Sequence, residues 1–82
     1  MTRIAATPLS IAIGELLTRY RQLKKWDIVT LSRRTGLNPS HLSNLENGHN
    51  TPSIGTLFLF GEVLGFRPSD MLRAVEERLG RK

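Results

Sequence analysis

Residues 31–48 read LSRRTGLNPSHLSNLENG. Gly36 stands where a helix that closes on a left-handed residue wants glycine. The run before it, Ile28 to Thr35, has Asp27 as its N-cap. Asn38 is placed to cap a second helix that starts at Pro39 or Ser40, because proline fits the first helical turn. That helix ends at Asn47-Gly48, and about three residues join the two. Ser32, a small residue four before Gly36, lets the two helices approach. Leu37 plugs the core, and Leu42 and Leu45, three apart, anchor one face of the second helix. The other face is left to project outward with polar side chains.

The rest of the chain is punctuated in the same way. No run alternates apolar and polar residues at the two-residue period of a strand, so the chain is expected to be all-α. Met1 to Thr7 is expected to be a flexible arm carrying Arg3. The folded domain spans residues 8–79, and residues 80–82 form a short basic tail. Helix 1 is expected from Pro8 to Lys24 with Thr7 as N-cap and a buried stripe of Ile13, Leu16, Leu17, Tyr20 and Leu23. Helix 4 is expected from Ser53 to Leu64, stopped by Gly65, with Ile54, Leu57, Phe58, Gly61 and Leu64 along one face. Helix 5 is expected from Pro68 to Leu79 with Met71, Leu72, Val75 and Leu79 as its apolar stripe. The sum is a compact five-helix bundle.

Composition narrows the function. The 82 residues carry 39% hydrophobic and 23% charged side chains and a net charge of +5. That is enough for one domain with one modest core. No apolar run approaches the roughly 18 residues of a membrane span. The start, MTRIAATPLSIAIG, lacks the long apolar region and cleavage site of a secretory leader. Cysteine is absent, which excludes disulfides and thiolate metal sites and fits a cytoplasmic protein. Six basic residues (Arg19, Arg21, Lys24, Lys25, Arg33 and Arg34) crowd residues 19–34 against one acid, Asp27. Clustered positive charge suits a polyanion or a solvated face.

Catalysis and metal binding find little support. His41, Glu46 and His49 share the stretch HLSNLENGHN, but His41 and Glu46 are five residues apart and lie on different faces of one helix. There is no phosphate-cradling glycine loop and no HExxH. The chain is read as a non-enzyme with no cofactor and no metal.

Two short helices joined by a tight, glycine-containing turn are the ingredients of a helix-turn-helix, here residues 28–47 with a second helix at about 39–47. Taken with the IGELL of helix 1, the LENG ending helix 3 and LGFRPSDML leading into helix 5, the chain resembles the Cro/repressor-type (XRE) helix-turn-helix family from Ile13 to Leu72. The resemblance implies a lambda-repressor-like, DNA-binding fold. Members often pair an arginine near the end of helix 1 with the glutamate ending helix 3, here Arg21 and Glu46. The chain departs from the pattern at three places. Ile28 stands where glutamine is frequent, Ser32 where alanine is, and Lys25 where glycine is usual between helices 1 and 2.

The resemblance places helix 3 in the DNA major groove. Candidate base contacts are then Asn38, Pro39, Ser40, His41, Ser43 and Asn44. Asn44 comes first, because asparagine can pair with adenine through two hydrogen bonds. Pro39 offers only an apolar contact. Helix 3 has no arginine for guanine, so specificity leans toward A·T pairs or DNA shape. Candidate phosphate contacts are Arg33, Arg34, Asn47, the Gly48 amide, His49 and Asn50. The family commonly binds two-fold sites as a homodimer. Leu59, Val63 and Phe66 are the candidate interface, an apolar patch where the family usually has polar residues. The expected function is a sequence-specific transcriptional regulator on a palindromic operator. An antitoxin of a toxin–antitoxin pair and a restriction-modification controller protein are the alternatives. A protein partner such as a toxin or RNA polymerase leaves no mark in the sequence, and neighbouring genes would discriminate among these contexts.

Overall fold

Five α-helices follow the punctuation of the sequence: α1 (Pro8–Leu23), α2 (Ile28–Thr35), α3 (Pro39–Glu46), α4 (Ile54–Leu64) and α5 (Pro68–Arg78). The computed structural model describes residues 6–80. Arg3, most of the arm and the last two basic residues therefore lie outside the described residues. No strand occurs among the described residues. No described helix is long and apolar enough to cross a membrane.

The N-caps of α1 to α4 are made by chemistry local to each, while Arg67 before α5 makes no side-chain cap bond. Thr7 Oγ1 accepts from the Ser10 amide, and the Ser10 hydroxyl oxygen accepts from the Thr7 amide, a closed capping box at the start of α1. Asp27, Asn38 and Ser53 cap α2, α3 and α4 by accepting from the amide three residues on. Thr7 thus belongs to the folded domain rather than to an arm. Ser53 and Lys24 stand just outside α4 and α1 as caps. Gly36 takes the left-handed conformation, φ 78°, that lets the chain leave α2 and turn directly into α3.

α1 packs against α3 and α5. α2 rests on α3 and α4, and α4 meets α5. The core gathers Ile13, Leu16 and Leu17 of α1, Leu31 of α2, Leu42 and Leu45 of α3, and apolar residues of α4 and α5. Tyr20 stacks on Phe66, ring centroids 4.4 Å apart, which ties the α4–α5 loop to α1.

Four apolar assignments differ from the sequence expectation. Leu23, in the last turn of α1, is exposed, and so is Leu72 of α5. The α1 stripe instead extends to Ala12 and Ser10. In α4 the buried aromatic is Phe60 (1% exposed), while Phe58 (59%) and Ile54 face outward. The helix is apolar nearly all round, so periodicity alone could not choose its inner face. Its position between α2 and α5 decides. The expected patch of Leu59, Val63 and Phe66 changes for the same reason. All three are half-buried, and Val63 and Phe66 pack against the core. The exposed apolar residues of α4 are Ile54 and Phe58.

Candidate nucleic-acid interface

The outer face of α3 is presented by an inner face that is held at many points. Leu42 and Leu45 are each 1% exposed. Past them, the end of α3 lies directly on α1. A Cβ on Gly14 would sit 2.4 Å from the Glu46 carbonyl oxygen and 2.6 Å from that of Leu45. Only glycine permits this approach. The Ser10 hydroxyl donates to the Gly48 carbonyl at 2.6 Å, a buried bond between residues 38 apart in sequence.

Glu46 completes the attachment. Arg21 grips its carboxylate with two nearly parallel bonds, Nε to Oε2 at 2.8 Å and Nη2 to Oε1 at 2.9 Å. The Thr18 hydroxyl adds a third bond at 3.0 Å. The pair is largely buried, the side chains 15% and 9% exposed. The bond to Glu46 raises the Arg21 pKa further, so the guanidinium stays charged. Its remaining Nη1 donates to the Trp26 carbonyl at 2.8 Å. One arginine thus joins α1, the α1–α2 turn and the end of α3.

The turn between α2 and α3 is satisfied internally. The Ser32 hydroxyl donates to the Leu37 carbonyl at 2.5 Å, and the Leu37 amide donates to Thr35 Oγ1 at 3.2 Å. Serine in place of the family's alanine therefore supplies a bond the methyl group could not. Lys25, in place of glycine, is the one non-glycine among the described residues with positive φ, at 61°. That position strains any residue with a Cβ.

On the outer face, Pro39, Ser40, His41 and Asn44 are exposed. Among the described residues, the side chains of Ser40, His41 and Asn44 make no hydrogen bond within the chain. Asn38 is exposed too, but its Oδ1 accepts from the His41 amide at 3.1 Å. Only its amino group remains for a base edge. Ser43 is half-buried, and its Oγ accepts from Asn47 Nδ2 at 3.4 Å.

The structure changes the phosphate candidates more. Gly48 is buried with φ 78°, and its amide donates to the Leu45 carbonyl at 3.2 Å. It has no amide to give to a phosphate. The amides of Asn47 and His49 are also taken, by Ser43 and Asn44 carbonyls at 2.9 Å each. The side chains of Asn47 and His49 stay exposed, and Asn50 is half-buried. No lysine or arginine occurs from Thr35 to Phe66, so this face carries little charge beyond the buried Glu46. Positive charge lies instead on α2 and the turn before it. Arg33 is exposed, while Arg34 lies 4.7 Å above the Trp26 ring, which Lys24 also approaches at 5.7 Å. Asp27 caps α2 from this region, and the bond from the Thr30 amide holds its carboxyl below the usual range.

Sequence reasoning missed Ser10, Gly14 and Thr18, which fix where α3 sits. Gly14 carried one signal, a glycine inside a helical pattern, which costs stability unless close packing requires it. Among the described residues, no three His, Asp or Glu side chains lie close enough together to hold a metal ion.

A family model described as helix-turn-helix matches residues 17–72. The chain belongs to the XRE-type helix-turn-helix family. A similar solved structure is the crystal structure of the clp gene regulator ClgR from C. glutamicum. It is 28% identical with a TM-score of 0.77, over 84% of this chain and 90% of that one. A search of curated protein sequences finds no match. This helix-turn-helix protein is a DNA-binding protein built as a transcriptional regulator. The family match begins at Leu17, so Ser10 and Gly14, which lock α3 to α1, lie outside the matched residues.

Proposed function

We propose that the protein is a sequence-specific transcriptional regulator that binds a palindromic operator as a homodimer, with α3 in the major groove. The observation that carries the reading is the division of α3. One face is fixed to the core, and the other offers the exposed side chains of Ser40, His41 and Asn44, without partners among the described residues. Asn44 pairs with adenine through two hydrogen bonds, and Ser40 and His41 read neighbouring base edges. Pro39 meets a thymine methyl. The Asn38 amino group and Ser43, both partly engaged, contribute less. Half-sites lie about one helical turn, roughly 34 Å, apart. Arg33 and Arg34 take the charged phosphate contacts, and Asn47, His49 and Asn50 the neutral ones.

A neutral recognition face has a measurable consequence. Two arginines per protomer give four charged phosphate contacts per dimer, so log K should fall with log salt at a slope of about −4. Selection of bound sequences from a random DNA pool, followed by a salt series, tests the reading. The expected result is an A·T-leaning two-fold site with that slope. Selection of a single asymmetric half-site, or no sequence preference at low salt, would count against it.

A further inference from the structure

The turn between α1 and α2 holds a residue that local chemistry does not explain. Lys25 has φ 61°, where glycine would sit without strain. Its backbone is fixed on both sides. The Lys25 amide donates to the Gln22 carbonyl at 2.9 Å, and the Trp26 amide to the Arg21 carbonyl at 3.3 Å. The Arg21 guanidinium, bound to Glu46 at the end of α3, also holds the Trp26 carbonyl at 2.8 Å. The Lys25 side chain has no such use. It is exposed and forms no ion pair among the described residues. Lys24 beside it approaches the Trp26 ring instead. A strained backbone that carries an unengaged cation points to a use outside the chain. Three residues on, Ile28 makes the opposite exchange. It stands where glutamine is frequent, is half-buried against the core, and has no polar group in its side chain. The start of α2 thus lacks a side-chain donor at that position, and the turn before it gains a cation that glycine would lack.

We infer that Lys25 is a DNA contact, its ammonium meeting a backbone phosphate where α2 crosses the strand, and that the strained lysine is kept for this charge. The inference rests on the reading that places α3 in the major groove, which sets α2 across the phosphate backbone. Lys25 lies three residues before the start of α2, at most about 11 Å away along the chain. Arg21 ties the turn to the end of α3, so the ammonium is carried on a base fixed relative to the reading helix. A lysine meets phosphate as a point charge, so it adds affinity for any duplex and no sequence preference. One such contact per protomer steepens the fall of log K with log salt by about 2, beyond the arginines' share of about −4.

Fluorescence anisotropy of two labelled duplexes, the selected site and an unrelated sequence, tests the contact across a salt series, with urea unfolding of the same proteins. The variants are Lys25→Gly, Lys25→Arg and, as a control, Arg73→Gln, which removes an exposed cation from α5, a helix packed on α1 and α4. Lys25→Gly should bind both duplexes about tenfold more weakly at low salt, with a slope shallower by about 2. Its urea midpoint should rise at the same time, because the strain is gone. Lys25→Arg should keep the wild-type affinity and slope, and Arg73→Gln should stay within about twofold on both duplexes. Unchanged affinity and slope in Lys25→Gly would remove Lys25 from the DNA and leave the α3 reading standing. An equal loss in Arg73→Gln would reduce the effect to net charge, and a lower urea midpoint in Lys25→Gly would make it structural. Either result overturns the contact. A wild type that does not prefer the selected site over the unrelated duplex would overturn the α3 reading and this contact with it.

Discussion

The two faces of α3 belong to one eight-residue helix, yet they stand in opposite surroundings. On the inner face, Leu42 and Leu45 are sealed in the core, Glu46 is held by three bonds from α1, and the backbone rests on Gly14. On the outer face, Ser40, His41 and Asn44 are exposed and make no side-chain bond among the described residues. Stability is concentrated on one side of an eight-residue helix, and the proposed reading surface lies on the other. A short helix has little stability of its own, so its fixed direction must come from the inner contacts. Substitutions on the two faces should therefore change different measurements.

The largest effect is expected from Glu46→Ala. It leaves Arg21 largely buried without its carboxylate, which should cost about 3 kcal/mol in urea unfolding. A loss below about 1 kcal/mol would show that water replaces the pair and that the inner face is looser than described. Gly14→Ala is next. Its methyl group would have to displace the carbonyl of Glu46, so α3 must move off α1, at about 2 kcal/mol. Because α3 moves, DNA affinity should fall together with stability in this variant. Unchanged stability in denaturant would contradict the close approach.

Smaller effects come from sites on neither face. Lys25→Gly relieves the positive φ and should raise stability by about 1 kcal/mol, with sequence preference unaltered. A loss of stability would mean that the lysine makes a contact outweighing its strain. Glu15→Ala removes the exposed pair with Arg78, 2.6 Å apart, and should change stability by less than about 1 kcal/mol. Set beside Glu46→Ala, it separates a solvated ion pair from a buried one. Equal effects of the two would break the comparison.

What was legible in the sequence divides along similar lines. Caps and turns were legible because their chemistry is local. Thr7, Asp27, Asn38, Gly36 and Gly65 are determined by neighbours within a few residues. The outward set of α3 was legible because Leu42 and Leu45 mark the inward side of an otherwise polar helix. The Arg21–Glu46 pairing came from resemblance, since nothing local links residues 25 apart. The inner face of α4 was not legible. With Leu57, Phe58, Leu59 and Phe60 in succession, only packing against other helices buries Phe60 and exposes Phe58. Nor was the role of Gly48, whose buried carbonyl receives Ser10 from the other end of the domain. A phosphate contact was expected there because the loop alone gives no sign that its amides are already bonded.

The division of α3 is tested most directly by Asn44→Ala, measured for base preference by pool selection and for stability by urea unfolding. The expected result is relaxed preference at one position in each half-site, a loss of about 1–3 kcal/mol on the preferred site, and unfolding unchanged within about 0.5 kcal/mol. Intact affinity and preference would remove Asn44 from the DNA, and with it the assignment of the outer face of α3 as the reading surface.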